Sequence, residues 1–131
     1  MVRNLNNLKG VILLPQIKVV IFGDDLIKRF KELGIGKELI NKLQEMWPVT
    51  KGDVTYTLSG ALEVINDAKI QVEVRFSAGY DYGNGKKFNP DMEEKDKAAS
   101  ALLDFLIDTF SDVDVSVWII PYKNSCFAYS N

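Results

Sequence analysis

The residues of this chain that could do chemistry are carboxylates, amines, tyrosines and a single thiol, because the sequence contains no histidine. Without histidine neither a Ser-His-Asp triad nor a Cys-His pair can form, and the commonest metal ligand is absent. Any general base must therefore come from another residue type. The sequence predicts no metal site and no cofactor.

Two sets of residues have both a chemical and a structural interpretation. The adjacent carboxylates Asp24 and Asp25 could share acid-base work, but they lie between a predicted strand and a predicted helix, where an aspartate commonly caps the helix. Cys126 has neither a histidine partner nor a basic cluster beside it, so little of it would be thiolate. The structural interpretation is favoured for both sets, with Cys126 as a half-buried thiol.

The turn-rich segment 79–87 and the acidic run after it are similar to ion-binding loops only in composition. A Walker loop needs a glycine and a Ser or Thr at the positions that Tyr80 and Lys87 occupy. The acids between Asp91 and Asp96 lack the spacing of an EF-hand loop and favour a helix N-terminus. We therefore predict a turn followed by the start of a helix.

The elements that must position these residues begin with a strand, a helix and a strand. A β-branched run from Gln16 to Phe22 predicts the first strand. Apolar residues at helical spacing follow until Pro48, but Gly34 and Gly36 interrupt them, which indicates one broken helix or two. The alternating run DVTYTL predicts the next strand over 53–58, followed by a connection that could hold one helical turn.

The second half of the chain repeats this order. Strict alternation from Ile70 to Phe76 predicts a strand with one buried face and one polar face. Asn89, Pro90 and Asp91 give the start signals of a helix, and the run VDVSVWIIP over 113–121 predicts the last strand.

Two β-α-β units imply parallel strand pairs with right-handed crossovers. The sequence therefore predicts an α/β domain, an α+β sandwich with a four-stranded mixed sheet and two main helices on one face. The other face is left bare and carries either the apolar residues of the third strand or its polar set, Gln71, Glu73 and Arg75. A half-polar, half-aliphatic bare face is typical of an oligomer interface, so we expect self-association.

Composition limits the partners and the compartment. The chain has 131 residues, of which 47% are hydrophobic, and 16 basic residues oppose 18 acidic ones, which fits one core and argues against nucleic acid. One cysteine gives no reason for an oxidising compartment. The apolar run Val11 to Leu14 is too short for a signal peptide or a membrane span. We expect a cytoplasmic protein with a single domain over 14–131 and an extension over 1–13.

Several short strings carry a resemblance to a known family. LPQIKVVIF, VTYTL, IQVEVRF, KDKAASALLDFLIDTF and VDVSVWIIPYKNSCFAYSN, taken in order, are similar to the tautomerase superfamily, which includes oxalocrotonate-type tautomerases and macrophage migration inhibitory factor. The likeness is greatest to an uncharacterised branch of small tautomerase-like proteins and covers residues 14–131. It implies a homotrimer with pockets near subunit boundaries and, in active members, keto-enol proton transfer by an N-terminal proline.

Pro15 matches the position of that proline, and the resemblance assigns it as the catalytic base. As encoded, Pro15 follows Leu14, so its nitrogen is an amide whose lone pair is delocalised and cannot act as a base. Cleavage between Leu14 and Pro15 would expose a secondary amine.

Arg75 lies near the end of the third predicted strand, on its polar face, and could point into one of the subunit-boundary pockets that the resemblance implies. There it could bind a small anion beside the tyrosines Tyr56, Tyr122 and Tyr129. The alternative is an interface salt bridge, for example with Glu73. Trp118 could line the same site or pack at an interface.

Three functions remain open on the sequence. The favoured one is a catalytically degenerate tautomerase-like protein that binds a small anion. The second is an active tautomerase acting on a small keto acid once Pro15 is exposed. The third is a purely structural or partner-binding trimer.

Overall fold

The chain alternates strands and helices in the predicted order. The computed structural model describes residues 15–49, 54–77, 80–81 and 87–122. The elements are β1 (Gln16–Phe22), α1 (Asp24–Glu32), α2 (Ile35–Met46), β2 (Thr55–Ala61), β3 (Ile70–Ser77), β4 (Tyr80–Asp81), β5 (Lys87–Phe88), α3 (Met92–Thr109) and β6 (Val115–Tyr122). The extension predicted over 1–13, Cys126 and Tyr129 lie outside the described residues.

Four strands form one mixed sheet in the order β2-β1-β3-β6. β1 is parallel to β2, β3 is parallel to β6, and the central pair β1 and β3 is antiparallel. Each parallel pair needs a crossover connection, which α1 with α2 supplies in the first half and α3 in the second. The predicted pair of β-α-β units is confirmed.

All three helices pack on the same face of this sheet. Alternate residues of β1 and β3, including Ile17, Val19, Val72 and Val74, are buried in one core cluster with the apolar residues of the helices. Their neighbours along the strands point the other way, so Gln71, Glu73 and Arg75 lie on the uncovered face. The third strand therefore buries its apolar set against the helices, and its polar set lies half-buried on the opposite face.

The first helical segment is two helices. Gly34 adopts a left-handed conformation at φ 64°, which favours glycine, and it separates α1 from α2. Trp47 is extended and Pro48 follows it, so α2 ends at Met46. Between the two alternatives left open by the sequence, the structure has two separate helices.

Of the two predictions about helix starts, one is wrong and one is confirmed. Gly23 is the N-cap of α1 and no side chain caps it, so Asp24 and Asp25 are not caps but first-turn acids that favour the helix dipole. At the start of α3 the Asp91 side chain accepts a hydrogen bond from the Glu94 backbone N–H at 2.8 Å. The helix start predicted from Pro90 and Asp91 is confirmed.

The remaining connections differ from the prediction in detail. β2 begins two residues later and ends three residues later than predicted, because seven residues of β2 pair in register with β1. The connection over 62–69 contains no helical turn. A short hairpin, in which Tyr80 pairs with Phe88, stands within the turn-rich loop. Among the described residues, no helix combines the length and the apolar character needed to cross a membrane.

Candidate functional site

Pro15 stands at the end of the sheet where β1 begins. The residue is buried, and its carbonyl oxygen accepts a hydrogen bond of 3.0 Å from the Thr55 backbone N–H at the start of β2. Pro15 is thus fixed against the neighbouring strand through its carbonyl. Its nitrogen takes part in the peptide bond to Leu14, so in this chain it has no basic lone pair.

Arg75 lies at the same end of the sheet, on the uncovered face. It pairs with Gln16 in the β1–β3 register, one residue from Pro15. Its guanidinium contacts the Glu73 carboxylate twice, with Nη2 at 2.7 Å and Nε at 3.0 Å from the same oxygen. Both side chains are about one-third exposed, at 33% and 35%. This charge-assisted contact is the Glu73 pair named as the alternative, here within one protomer.

Tyr56 lies on the opposite face of the sheet. It pairs with Ile17 in the β1–β2 register and packs against the core beneath the helices. Burial raises the pKa of the Tyr56 hydroxyl above its usual value, because desolvation penalises the phenolate. Within one protomer the sheet therefore separates the Tyr56 ring from the Arg75 guanidinium.

Of the other two predicted tyrosines, the structure describes only the backbone of Tyr122. Tyr122 is the last residue of β6 and pairs with Ser77, which brings its backbone to the end of the sheet that carries Pro15 and Arg75. Tyr129 lies beyond the described part of the chain. One protomer thus gathers Pro15, Arg75 and the Tyr122 backbone at one end, and leaves Tyr56 on the helix side.

An aromatic cluster packs behind this end of the sheet. Trp47 is 3% exposed, and its ring centroid lies 5.1 Å from that of Phe76 and 4.9 Å from that of Phe88. Its indole Nε1–H is buried without a hydrogen-bond acceptor in the described structure. Sequence reasoning placed Trp47 in an apolar helical stripe, and nothing in the pattern marked it as the residue that supports Phe76, the neighbour of Arg75.

A second concavity, which we call the helix-side cavity, lies between α1, α2 and the edge strand β2. Its volume is about 430 Å³, and the residues that give it its chemistry are Ile27, Lys31, Lys37, Tyr56 and Leu58. Gly36 lets the Tyr56 ring lie directly against α2, since a Cβ at Gly36 would be 2.6 Å from Tyr56 Cε1. Sequence reasoning missed this cavity. The only signal was the Gly34-x-Gly36 interruption of the helical stripe.

Comparisons with known proteins support the fold. No protein-family model matches the chain, and no curated protein sequence matches it. A solved structure of 5-carboxymethyl-2-hydroxymuconate isomerase from Deinococcus radiodurans is similar with a TM-score of 0.60 and 14% identity, covering 94% of this chain and 93% of that one. A protein of unknown function from Vibrio cholerae is similar with a TM-score of 0.60 and 14% identity, covering 88% and 83%.

The isomerase is a member of the tautomerase superfamily. The resemblance to that superfamily noted in the sequence is therefore confirmed for the fold. At 14% identity the likeness extends to the fold alone.

Proposed function

We propose that this chain is a catalytically degenerate tautomerase-fold protein that assembles with copies of itself and binds a small anion. The observation that carries the proposal is the covalent position of Pro15. The residue stands at the start of β1, where the resemblance assigns a catalytic amine, yet its nitrogen is acylated by Leu14. An amide nitrogen does not accept the proton that keto-enol transfer moves.

The proposed anion contact is Arg75. Its support is its place one register position from Pro15 and its half-buried guanidinium, which Glu73 holds in a defined orientation. A ligand carboxylate would compete with Glu73 for that guanidinium or share it. Tyr122 and Tyr129 remain predicted contacts from the end of the chain. Tyr56 belongs to such a site only if it comes from a neighbouring subunit, because within one protomer it lies across the sheet.

The proposed assembly is a homotrimer, in a cytoplasmic protein that binds neither nucleic acid nor membranes. Its support is the uncovered face of the sheet, where apolar Val20 and Trp118 alternate with charged Lys18 and Glu73. Such a mixed surface is typical of interfaces that are both apolar and specific. The nearly balanced charge and the single cysteine support the compartment and the exclusion of nucleic acid.

The catalytic part of the proposal is tested with two chains. One is the full chain, and the other starts at Pro15 after removal of an initiator methionine. The enol-to-keto conversion of phenylpyruvate is followed by the loss of enol absorbance. We expect the full chain, with its start verified by intact mass, to give no rate above buffer. A proline-dependent rate from a chain that still begins at Met1 or Val2 would contradict the proposal.

The second candidate function, an active keto-enol tautomerase, is favoured by one observation. Pro15 and Arg75 occupy the same end of the sheet, so a free proline amine would have a cation nearby for a substrate carboxylate. A positive charge nearby also lowers the pKa of such an amine, which helps it act as a base. If the chain that starts at Pro15 is active and its Pro15→Ala variant is not, the site is intact and only the peptide bond blocks it. Intact-mass analysis of protein from the native host then decides between the two candidates.

A further inference from the structure

The helix-side cavity has the size of a small-molecule site. At about 430 Å³ it lies within the range of small-molecule sites, roughly 300–1,000 Å³. A cavity of about 330 Å³ lies between α1 and the turn that precedes β6, and one of about 270 Å³ lies beside Trp47. The helix-side cavity is on the opposite face of the sheet from Arg75, so it is separate from the site proposed above.

Its charge distribution also differs from that of the smaller cavities. Lys31 from α1 and Lys37 from α2 line it, and no carboxylate does so in the described structure. In the 330 Å³ cavity, by contrast, Arg29 is already paired with Asp112 at 3.5 Å. The cavity beside Trp47 combines Glu94 with Lys97. The helix-side cavity alone presents an unbalanced positive charge among these three.

The two lysines have no ion-pair partner within the described ranges. The nearest acid along α1 is Glu32, whose carboxylate lies 3.9 Å from Lys28 one turn earlier. Lys31 and Lys37 sit on different helices, on either side of the turn at Gly34, and both border one cavity. Two ammonium groups without internal partners favour an anionic occupant over a neutral one.

The other residues that line the helix-side cavity favour a ligand with an apolar body. Ile27 and Leu58 are partly buried and pack against the core, so they offer an aliphatic wall. Tyr56 adds a half-buried ring with a hydroxyl that can donate a hydrogen bond. Gly36 keeps the space open, because any side chain there would meet the Tyr56 ring. An apolar wall with a few convergent polar groups is typical of small-molecule sites.

We propose that the helix-side cavity is a binding site for a small organic monoanion with an aromatic or aliphatic body, whose charged group contacts Lys31 and Lys37. The body packs on Ile27 and Leu58 beside the Tyr56 ring. The site is built by the helix layer and edge strand of one protomer. It does not depend on Pro15 or on the catalytic status of the protein.

Benzoate is the probe, and benzamide is its neutral counterpart of nearly the same shape. Full-length ¹⁵N-labelled protein is titrated with each, and amide chemical shifts are mapped. We expect saturable shifts for benzoate at Gly34, Gly36, Lys37 and Gly60. Benzamide should bind about four- to 25-fold more weakly, because it loses two exposed lysine contacts that are each worth about two- to fivefold in affinity. The same spectra report whether each variant is folded.

Three variants test the contacts. Lys31→Gln and Lys37→Gln are each expected to weaken benzoate binding about two- to fivefold, from the usual energy of an exposed ion pair. Lys28→Gln removes the same charge from the same helix but does not border the cavity, and it is expected to leave the affinity unchanged. The proposal is overturned by an absence of saturable shifts, by equal binding of benzamide, by shifts centred on Gln16 and Arg75, or by an equal effect of Lys28→Gln.

Discussion

At the scale of single residues, the peptide bond between Leu14 and Pro15 limits the chemistry of the Pro15 nitrogen more than its place in the fold does. The carbonyl of Pro15 is paired with Thr55, and the side chain is buried at the end of the sheet that carries Arg75. These features would suit a catalytic proline. The chemistry of the nitrogen nevertheless depends on whether Leu14 is attached, because acylation removes the lone pair from use.

Tyr56 provides a residue-scale prediction on pH. Because burial raises its pKa above the ordinary value of 10.0, the folded chain keeps this proton where the unfolded chain releases it. The folded state then binds more protons than the unfolded state, so this group lowers the free energy of unfolding as pH rises above about 10 and has no effect well below it. Tyr56→Phe removes the ionisable hydroxyl and therefore removes this loss of stability at high pH.

We therefore expect the difference in unfolding free energy between wild type and Tyr56→Phe to be constant from about pH 7 to pH 9. Above about pH 10 the unfolding free energy of Tyr56→Phe should rise relative to that of wild type. Urea unfolding followed by circular dichroism at each pH measures it. A difference that does not change with pH would show that the hydroxyl ionises equally in both states.

At the scale of elements, α2 depends on a close approach to β2. Gly36, in the first turn of α2, faces the ring of Tyr56 in β2, and a Cβ there would be 2.6 Å from Cε1 and 2.9 Å from Cε2. Both distances are shorter than ordinary van der Waals contacts. The glycine thus lets helix and strand pack together at the wall of the helix-side cavity.

Gly36→Ala should destabilise the protein although alanine favours helices. Higher helix propensity would add up to about 1 kcal/mol, whereas the overpacked ring costs about 1–3 kcal/mol, so we expect a net loss of about 1 kcal/mol in unfolding free energy. The matched control is the same substitution in a Tyr56→Leu background, where the loss should vanish or become a gain. Denaturant unfolding measures all four chains. Equal effects in both backgrounds would mean that the ring is not the obstacle.

At the scale of the whole molecule, the helices of the described ranges cover one face of the sheet and leave the other face without a helix. Trp118 is 62% exposed on the uncovered face, opposite Glu73 in the β3–β6 register. A large aromatic side chain so placed would lose much of its contact with water in an oligomer. The uncovered face is therefore the surface on which assembly should depend most.

Trp118→Glu should shift the protein from the proposed trimer towards monomer, because a buried carboxylate without a partner is costly at an interface. Light scattering coupled to size-exclusion chromatography measures the change. Ile107→Glu is the control, since Ile107 is 45% exposed on α3, on the other side of the sheet. The proposed interface fails if both variants remain as large as wild type, or if both dissociate equally.

Much of the fold followed from local patterns in the sequence. β1 has the predicted bounds, the alternation over 70–76 predicted β3 with an apolar and a polar face, and the cap at Asp91 marked the start of α3. These signals are local because side-chain period and capping depend on residues within a few positions of one another. The ends of β2 differ from the prediction, since they depend on pairing with β1.

The sites depended on long-range placement. Alternation assigns two faces to each strand, but it does not reveal which face of β2 continues which face of β3, so the sequence did not separate Tyr56 from Arg75. The helix-side cavity joins residues of α1 and α2 to residues of β2 about twenty to thirty positions later. By itself the sequence predicted the four main strands, the helical segments between them and the acylated state of Pro15 as encoded. Only the tertiary structure decided which side chains share a site, because packing between distant segments creates surfaces that no local pattern encodes.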